Sequence, residues 1–332
     1  MGELEYIKSV ADMQVSNDSL FSSPGLWYGQ MGSVIFLSHY AKYTGDMQYE
    51  EYAIDNLGLI LEGISPESQA GFAHGIAGIG AGIEYLNRTG LIDVDTDMIL
   101  EDVDHYIFYR KIMRNQYENN GLENGFTGLG QYYLSRINCR QTPENELIHL
   151  SNTELMLHIV NIIEQTFSSS DPYLPDILSF LYRLYCLDVC NPKIERCMDK
   201  VRDVLSGASV CTGSQPELTL ALLQTANIHN YIEKHAKLSV TRTLQNIASL
   251  PASLAGTDIL FWLLRGKRII RQTNLFSDLI SQFDPLIERC ITKIQGDSLD
   301  REHPSLKGSA GTALAMMTVS GAMNDDWLEL LG

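Results

Sequence analysis

The sequence predicts an all-α protein, an α/α toroid (barrel) of seven inner and seven outer helices. Three observations point there. First, Gly-x-x-Gly turns running into an apolar helix recur with first glycines Gly29, Gly75, Gly125 and Gly308. The first gaps are 75 − 29 = 46 and 125 − 75 = 50, and the last, 308 − 125 = 183, spans about four such periods. Recurrence every ~20 to 50 residues marks a repeat architecture. Second, each small-residue helix is followed by an amphipathic one. Third, no segment alternates with the period of two that a half-buried strand requires.

Taken in order, residues 1–20 lead into the first turn, Leu26-Trp27-Tyr28-Gly29-Gln30-Met31-Gly32. Its helix is expected over 33–43, with a stop at Thr44-Gly45. An outer helix over 47–63 carries a stripe of Tyr49, Tyr52, Ala53, Asn56, Leu57, Ile60 and Leu61. The second unit opens at 71–86, where Ile76, Ile79, Ile83 and Leu86 keep helical spacing among five glycines. Each helical glycine costs about 1 kcal/mol against alanine, so close approach by neighbouring helices is expected to offset them. A stop at Thr89-Gly90 precedes an outer helix expected over 97–112, striped by Ile99, Val103, Tyr106 and Ile107.

The third unit begins at Gly125, and its outer helix is expected to start at a capping box, Ser151-Asn152-Thr153-Glu154, ahead of Leu155, Ile159, Ile162 and Ile163. The glycine motif then fades. An apolar helix over 176–184 and an amphipathic one over 194–205 form the fourth unit. Cys211-Thr212-Gly213-Ser214 opens the fifth, with Pro216 suited to a first helical turn. Residues 252–256 open the sixth, which closes over 285–294, and Gly308 opens the seventh. With no linker, the whole of 1–332 reads as one domain. Glycine at these turns permits sharp entry into the inner helices, and the turns are expected to leave a shallow bowl where a ligand reaches helix N-termini.

Composition narrows the function. Lys plus Arg is 24 and Asp plus Glu is 41, a net charge of −17. Nucleic acid and anionic membrane surfaces both favour basic partners, so neither is expected; a basic peptide is compatible. No apolar run is long enough to span a membrane. The acidic start, Met1-Gly2-Glu3-Leu4-Glu5, has no signal-peptide h-region. Six scattered cysteines then read as reduced thiols in a cytoplasmic protein. Cys186, Cys190 and Cys197 are taken as core thiols.

The turns Leu26-Trp27-Tyr28-Gly29-Gln30-Met31-Gly32, Ala73-His74-Gly75-Ile76-Ala77-Gly78 and Lys307-Gly308-Ser309-Ala310-Gly311, with Asp326-Trp327 near the end, resemble the lanthionine synthetase C-like family over nearly the whole chain. The resemblance implies the seven-plus-seven toroid. It also implies zinc-assisted cyclisation of ribosomally made peptides, in which a peptide Cys thiolate adds to dehydroalanine or dehydrobutyrine. The family's zinc ligands are a Cys in a Trp-Cys-x-Gly turn of the fifth unit and a Cys-His pair in a Cys-His-Gly turn of the sixth. Cys211-Thr212-Gly213 matches the first with Val210 in place of Trp, while Pro251 and Ala252 stand where the second pair would be. One Cys cannot supply the three ligands a catalytic zinc needs, so no metal ligand set and no cofactor are expected here. Gly121 and Gly207 replace a family Asp and Arg, and the His-Gly signature falls in the second unit, at His74.

His74, just before an inner helix, is a candidate base or ligand contact, or a turn residue satisfied by backbone. Cys211 is a candidate reactive thiol or a small core residue. Trp27 and Tyr28 at the first turn line a pocket or plug the barrel end, while Lys307, which holds a carboxylate or is solvated, and similarly Glu123 and Asn124 occupy turn positions at the same bowl. Three functions compete. One is a zinc-free peptide-maturation protein that binds or scaffolds a precursor peptide and its modifying enzymes. Another is an active cyclase built on His74, Cys211 and Lys307. The third is an α/α-barrel carbohydrate-active enzyme, which would need paired carboxylates.

Overall fold

The computed structural model describes residues 2–17, 21, 23–112, 119–138, 145–168, 171–207, 216–226, 228, 230–297 and 303–332. Among them every element is helical: α1 (Glu3–Ser16), α2 (Gln30–Thr44), α3 (Met47–Glu62), α4 (Ile76–Arg88), α5 (Thr96–Ile99), α6 (Glu101–Ile107), α7 (Phe126–Ile137), α8 (Glu146–Thr166), α9 (Leu174–Cys186), α10 (Asn191–Gly207), α11 (Pro216–Thr225), α12 (Asn230–Ser249), α13 (Thr257–Thr273), α14 (Ile280–Gly296) and α15 (Ser309–Val319). The chain divides into two compact units. The first holds Met1–Ile162 and Ser298–Leu331, the second Ile163–Asp297 with Gly332. Among the described residues no helix is long and apolar enough to cross a membrane.

In the first unit the small-residue helices pack in the order α15, α2, α4, α7. A helix buried all round needs no polar face, and α4 fits: every residue from Ile76 to Leu86 is buried. Its glycines do what the sequence requires of them. A Cβ at Gly80 would run into the Tyr132 ring of α7, and one at Gly82 would stand 2.7 Å from Met31 of α2. Burying two such side chains yields about 1.5–3 kcal/mol each, enough to offset the helical penalty of two glycines.

The partner of α15 comes from the other end of the sequence. The N-terminal helix α1 buries Tyr6, Ile7, Val10, Ala11 and Gln14 and packs on both α15 and α2. Buried Gln14 fixes it: Nε2 donates to the Pro304 carbonyl at 2.7 Å, and Oε1 accepts from Ser33 Oγ at 2.6 Å. Helix α1 thus makes Glu3–Ser16 an outer helix packed on α15 rather than a lead-in.

The outer helix expected over 97–112 is broken into α5, α6 and a π-turn, Phe108–Ile112. The cause lies beneath it. Arg136 of α7 has a fully buried side chain that reaches Glu84 (2.5 Å), Asp97 (2.9 Å) and Asp104 (2.9 Å), and Tyr132 donates to Asp104 at 2.6 Å. Burial raises both the Glu84 and Asp104 carboxyls, against the pull of Arg136. Asp95 caps the short α5 by accepting from Asp97 and Met98 N–H. The capping box expected at Ser151 is not one. Helix α8 begins at Glu146, so Ser151 lies inside it and Thr153 donates back to the His149 carbonyl.

In the second unit α9, α11 and α13 are the inner helices, each packed on an outer partner: α10, α12 and α14 respectively. Helix α9 ends in a Schellman-type turn in which Val189 N–H reaches the Leu184 carbonyl and Asp188 takes φ 56°. This hairpin exposes Cys186 and Cys190, correcting the core assignment, whereas Cys197 is buried. Pro285 lies inside α14 rather than at its start. Both it and Ser281, whose carbonyl it leaves without a helical donor, are exposed, so water can satisfy that carbonyl. Trp262 of α13 donates to the Pro216 carbonyl at 2.8 Å, joining the starts of two inner helices.

Two measurements test this packing. A Cβ at Gly78 would coincide with the Phe72 carbonyl and approach Leu26 Cβ to 2.9 Å, whereas one at Gly256 meets nothing within 4 Å. Gly78→Ala should cost about 2–3 kcal/mol or more of unfolding free energy, and Gly256→Ala less than about 1 kcal/mol; denaturant titration reads both. The second concerns His39, which is buried against the Tyr85 hydroxyl at 2.7 Å. Burial pushes its imidazole from 6.5 down to about 4. The unfolded chain therefore binds the proton first. Stability is intact above about pH 6.5 and falls as pH drops towards 4, by up to ~3 kcal/mol. His39→Gln, which keeps a partner for Tyr85, should flatten that limb of a stability-versus-pH profile.

Candidate functional site

The four glycine turns of the first unit share one backbone plan. In the first three, the first N–H of the inner helix bonds the carbonyl seven residues back: Gln30 to Ser23 (3.0 Å), Ile76 to Gln69 (2.8 Å) and Phe126 to Asn119 (3.2 Å). The next N–H does the same in two of them, Met31 to Pro24 and Ala77 to Ala70. The fourth turn is one residue shorter, with Ser309 bonding His303 at 2.9 Å. The carbonyls leave no space for a side chain at the first glycine. A Cβ at Gly29, Gly75, Gly125 or Gly308 would strike the backbone of Ser23, Gln69, Gly121 or His303. The expectation that a ligand reaches these helix N-termini is therefore corrected: the loop carbonyls already occupy those donors.

The turns are also bonded to one another. Lys307 N–H donates to the Trp27 carbonyl (3.0 Å), Trp27 N–H to Ala73 (2.9 Å), and Ala73 N–H to Glu123 (3.0 Å). Adjacent turns come so close that a Cβ at Gly25 would lie 2.6 Å from His74 Cα, and one at Gly71 would meet the Asn124 side chain. The sequence signal is thus longer than Gly-x-x-Gly. Gly25, Gly71 and Gly121 each stand four residues ahead of the first glycine, making Gly-x-x-x-Gly-x-x-Gly three times over.

This ladder brings side chains of separate turns into one row. The Tyr28 ring stacks on His74 with centroids 5.2 Å apart and planes 20° apart. His303 meets the same ring in a T-shaped contact with centroids 6.3 Å apart. His74 Nε2 stands 3.7 Å from Glu123 Oε1, within ion-pair reach but beyond a direct hydrogen bond. Lys307 Nζ sits over the Trp27 ring, 4.2 Å from its centroid, a cation–π arrangement. Trp27 itself is buried, and its Nε1 donates to the Leu330 carbonyl at 2.8 Å. His74, Tyr28 and Glu123 remain accessible, with side-chain exposure of 36% for His74 and 53% for Glu123.

Of the residues expected to act, the structure thus unites Tyr28, His74 and Glu123, with Trp27 and Lys307 as their neighbours. Asn124 is exposed beside them and interlocks with Gly71. Cys211 lies outside the described residues. His303 was missed because no glycine spacing marks it; only the shortened fourth turn places it beside Tyr28. Among the described residues no three His, Cys, Asp or Glu side chains converge to hold a metal ion. Glu123 faces an imidazole rather than a second carboxylate. Chemically, the row offers an accessible imidazole held between a phenol ring and a carboxylate.

No protein-family model matches the sequence, and no curated protein does. Among solved structures, nisin cyclase superposes with a TM-score of 0.70 at 15% identity, covering 98% of this chain and 96% of its own. The likeness runs the full length of both chains, and with the alternation of inner and outer helices it establishes the fold: the chain is an all-α protein with the α/α toroid fold of nisin cyclase.

Proposed function

We propose that this chain is a lanthionine synthetase C-like protein of ribosomal-peptide maturation. In this reading it works in the cytoplasm, as a single domain over 1–332, and binds a precursor peptide at the row of Trp27, Tyr28, His74, Glu123, Asn124 and Lys307. The observation that supports it is the full-length likeness to nisin cyclase. The turn motifs that resemble that family are the ones that assemble the row. An exposed tyrosine stacked on a histidine, with a lysine and a carboxylate beside it, suits a peptide that offers both apolar and hydrogen-bonding groups. The protein acts by binding or scaffolding, alone or with the enzymes that dehydrate the peptide, and without zinc. Proline and alanine at 251 and 252 have no metal-binding side-chain atoms, so the family's ligand set does not fit this chain and no step runs through a metal.

The His74–Glu123 pair supports a second reading, a metal-free cyclase. His74 would take the proton from a peptide Cys thiol. The sulfur then adds to the β-carbon of dehydroalanine, forming the S–C bond as the π pair moves to the α-carbon. His74 returns the proton there, so the thioether is an isomer of the starting peptide.

One experiment addresses both readings. A precursor peptide encoded beside the gene, unmodified and dehydrated, is titrated against the protein and then followed for thioether formation by mass spectrometry with thiol labelling. Binding that weakens about tenfold in Tyr28→Ala, with cyclisation no faster than the protein-free background, fits scaffolding. Cyclisation above background that is lost in His74→Ala moves the cyclase to first place. Absence of binding by either peptide form overturns both.

The metal content is read separately. Dedicated zinc sites hold the ion with on the order of 10 kcal/mol or more. Protein dialysed after purification without added metal should contain well under one zinc per chain, and a chelator should leave its melting temperature unchanged. Stoichiometric zinc that survives dialysis and is lost in Cys211→Ala would overturn the zinc-free assignment.

A further inference from the structure

Beside His74, on the flank of the second turn, the first unit has a cleft of about 660 Å³. Four isoleucines line it: Ile64, half-buried in the loop after α3, and beneath it Ile60 of α3 and Ile76 and Ile79 of α4, which are buried. Glu67 stands at its edge, exposed, and no Lys or Arg is among the described residues that line it. An inner helix begins in its wall, yet this end offers an anion nothing. The N–H groups of Gly75, Ile76 and Ala77 are taken by the carbonyls of Gly71, Gln69 and Ala70.

The surroundings carry one sign of charge. Between Lys42 and Arg88 the sequence contains no Lys or Arg at all. Over the same stretch Asp46, Glu51, Asp55, Glu62 and Glu67 are exposed, and Glu50 is half-buried. The two bracketing cations are turned to other partners: Arg88 pairs with Glu329, and Lys42 reaches the Thr89 carbonyl. The outer helix α3 and the loop that follows it thus present an acidic face ending at an aliphatic cleft.

We propose that this cleft is the docking site for a lysine- or arginine-bearing segment of the precursor peptide. The aliphatic stem of the basic residue lies against half-buried Ile64, over the buried Ile60, Ile76 and Ile79, and its charged head remains at the wet rim beside Glu67, the arrangement long basic side chains favour. The acidic face of α3 draws the rest of the segment in. The proposal rests on the peptide-binding reading above and adds to it which part of the peptide is held, and where.

The test uses the full chain and two fluorescein-labelled synthetic peptides built from Ser, Leu and Lys, or from Ser, Leu and Gln in the same order. By fluorescence anisotropy the lysine peptide should bind about tenfold more tightly than the glutamine peptide at low salt. The preference should shrink as salt is raised from about 0.05 to 0.5 M. Glu67→Lys should erase the preference while leaving glutamine-peptide affinity in place. Gln69→Trp, which fills the cleft mouth from an exposed position, should weaken both. Equal affinity of the wild-type protein for the two peptides overturns the proposal, as does unchanged lysine-peptide binding in both variants once thermal unfolding shows them folded. Unaltered binding of the gene-encoded precursor by both variants overturns the docking site but leaves the peptide-binding reading standing. Lysine preference together with failure to bind any precursor keeps the cleft and removes that reading.

Discussion

The first unit depends on a single constraint: the backbone of each glycine turn folds back so far that its carbonyls satisfy the start of its own helix. A helix otherwise begins with N–H groups that lack partners. Here a carbonyl seven residues upstream supplies the partner, and the geometry brings two stretches of backbone into van der Waals contact. Only glycine leaves room for that at Gly29, Gly75 and Gly125. Because the turns are compact, the next turn can also lie close, and the bonds from Lys307 to Trp27, Trp27 to Ala73 and Ala73 to Glu123 follow.

This constraint determines what the site can be. With the helix N-termini internally satisfied, the chemistry the turns still offer is that of the side chains just before each first glycine. Those positions hold Tyr28, His74, Asn124 and Lys307. Regular spacing of the turns becomes regular spacing of these side chains, which is how residues from distant parts of the sequence come to stack. The fourth turn departs from the plan by one residue, and that shift brings His303 to the edge of Tyr28. The second unit is built differently. Gly256 has free space around it, and α9 is capped by Tyr173 rather than by a glycine, so its inner helices are joined by side chains such as Trp262 instead.

Polar groups beneath the surface perform a second kind of ordering. The Gln14–Ser33 pair and the Pro304 carbonyl set the register of α1 on α15. Arg136 fixes the broken outer segment α5–α6 to α4 and α7. Removing one partner from the Arg136 cluster leaves a charge uncompensated, typically at about 3–5 kcal/mol, so its residues specify the arrangement more than they add net stability. The same argument accounts for the irregular path of 96–112. A straight helix would satisfy its own backbone, but Asp97 and Asp104 both have to reach one guanidinium.

The α/α plan could be read directly from the chain, because it rests on periodicities that local chemistry imposes: glycine where backbones meet, apolar residues at three and four spacing, a stop after each inner helix. The same pattern pointed to Tyr28, His74, Glu123 and Lys307, since turn positions repeat with the glycines. Local pattern could not supply pairings that depend on distant segments. That α1 belongs to the last inner helix rests on hydrogen bonds across the whole length of the sequence. That the outer helix over 97–112 breaks rests on an arginine buried under it, and that α8 starts ahead of Ser151 rests on helix propagation overriding a capping signal. The chemistry of the helix N-termini was also hidden. Sequence shows that a helix begins after each glycine turn, but whether its N–H groups face a ligand or a carbonyl depends on how the preceding seven residues fold back, and only packing settles that.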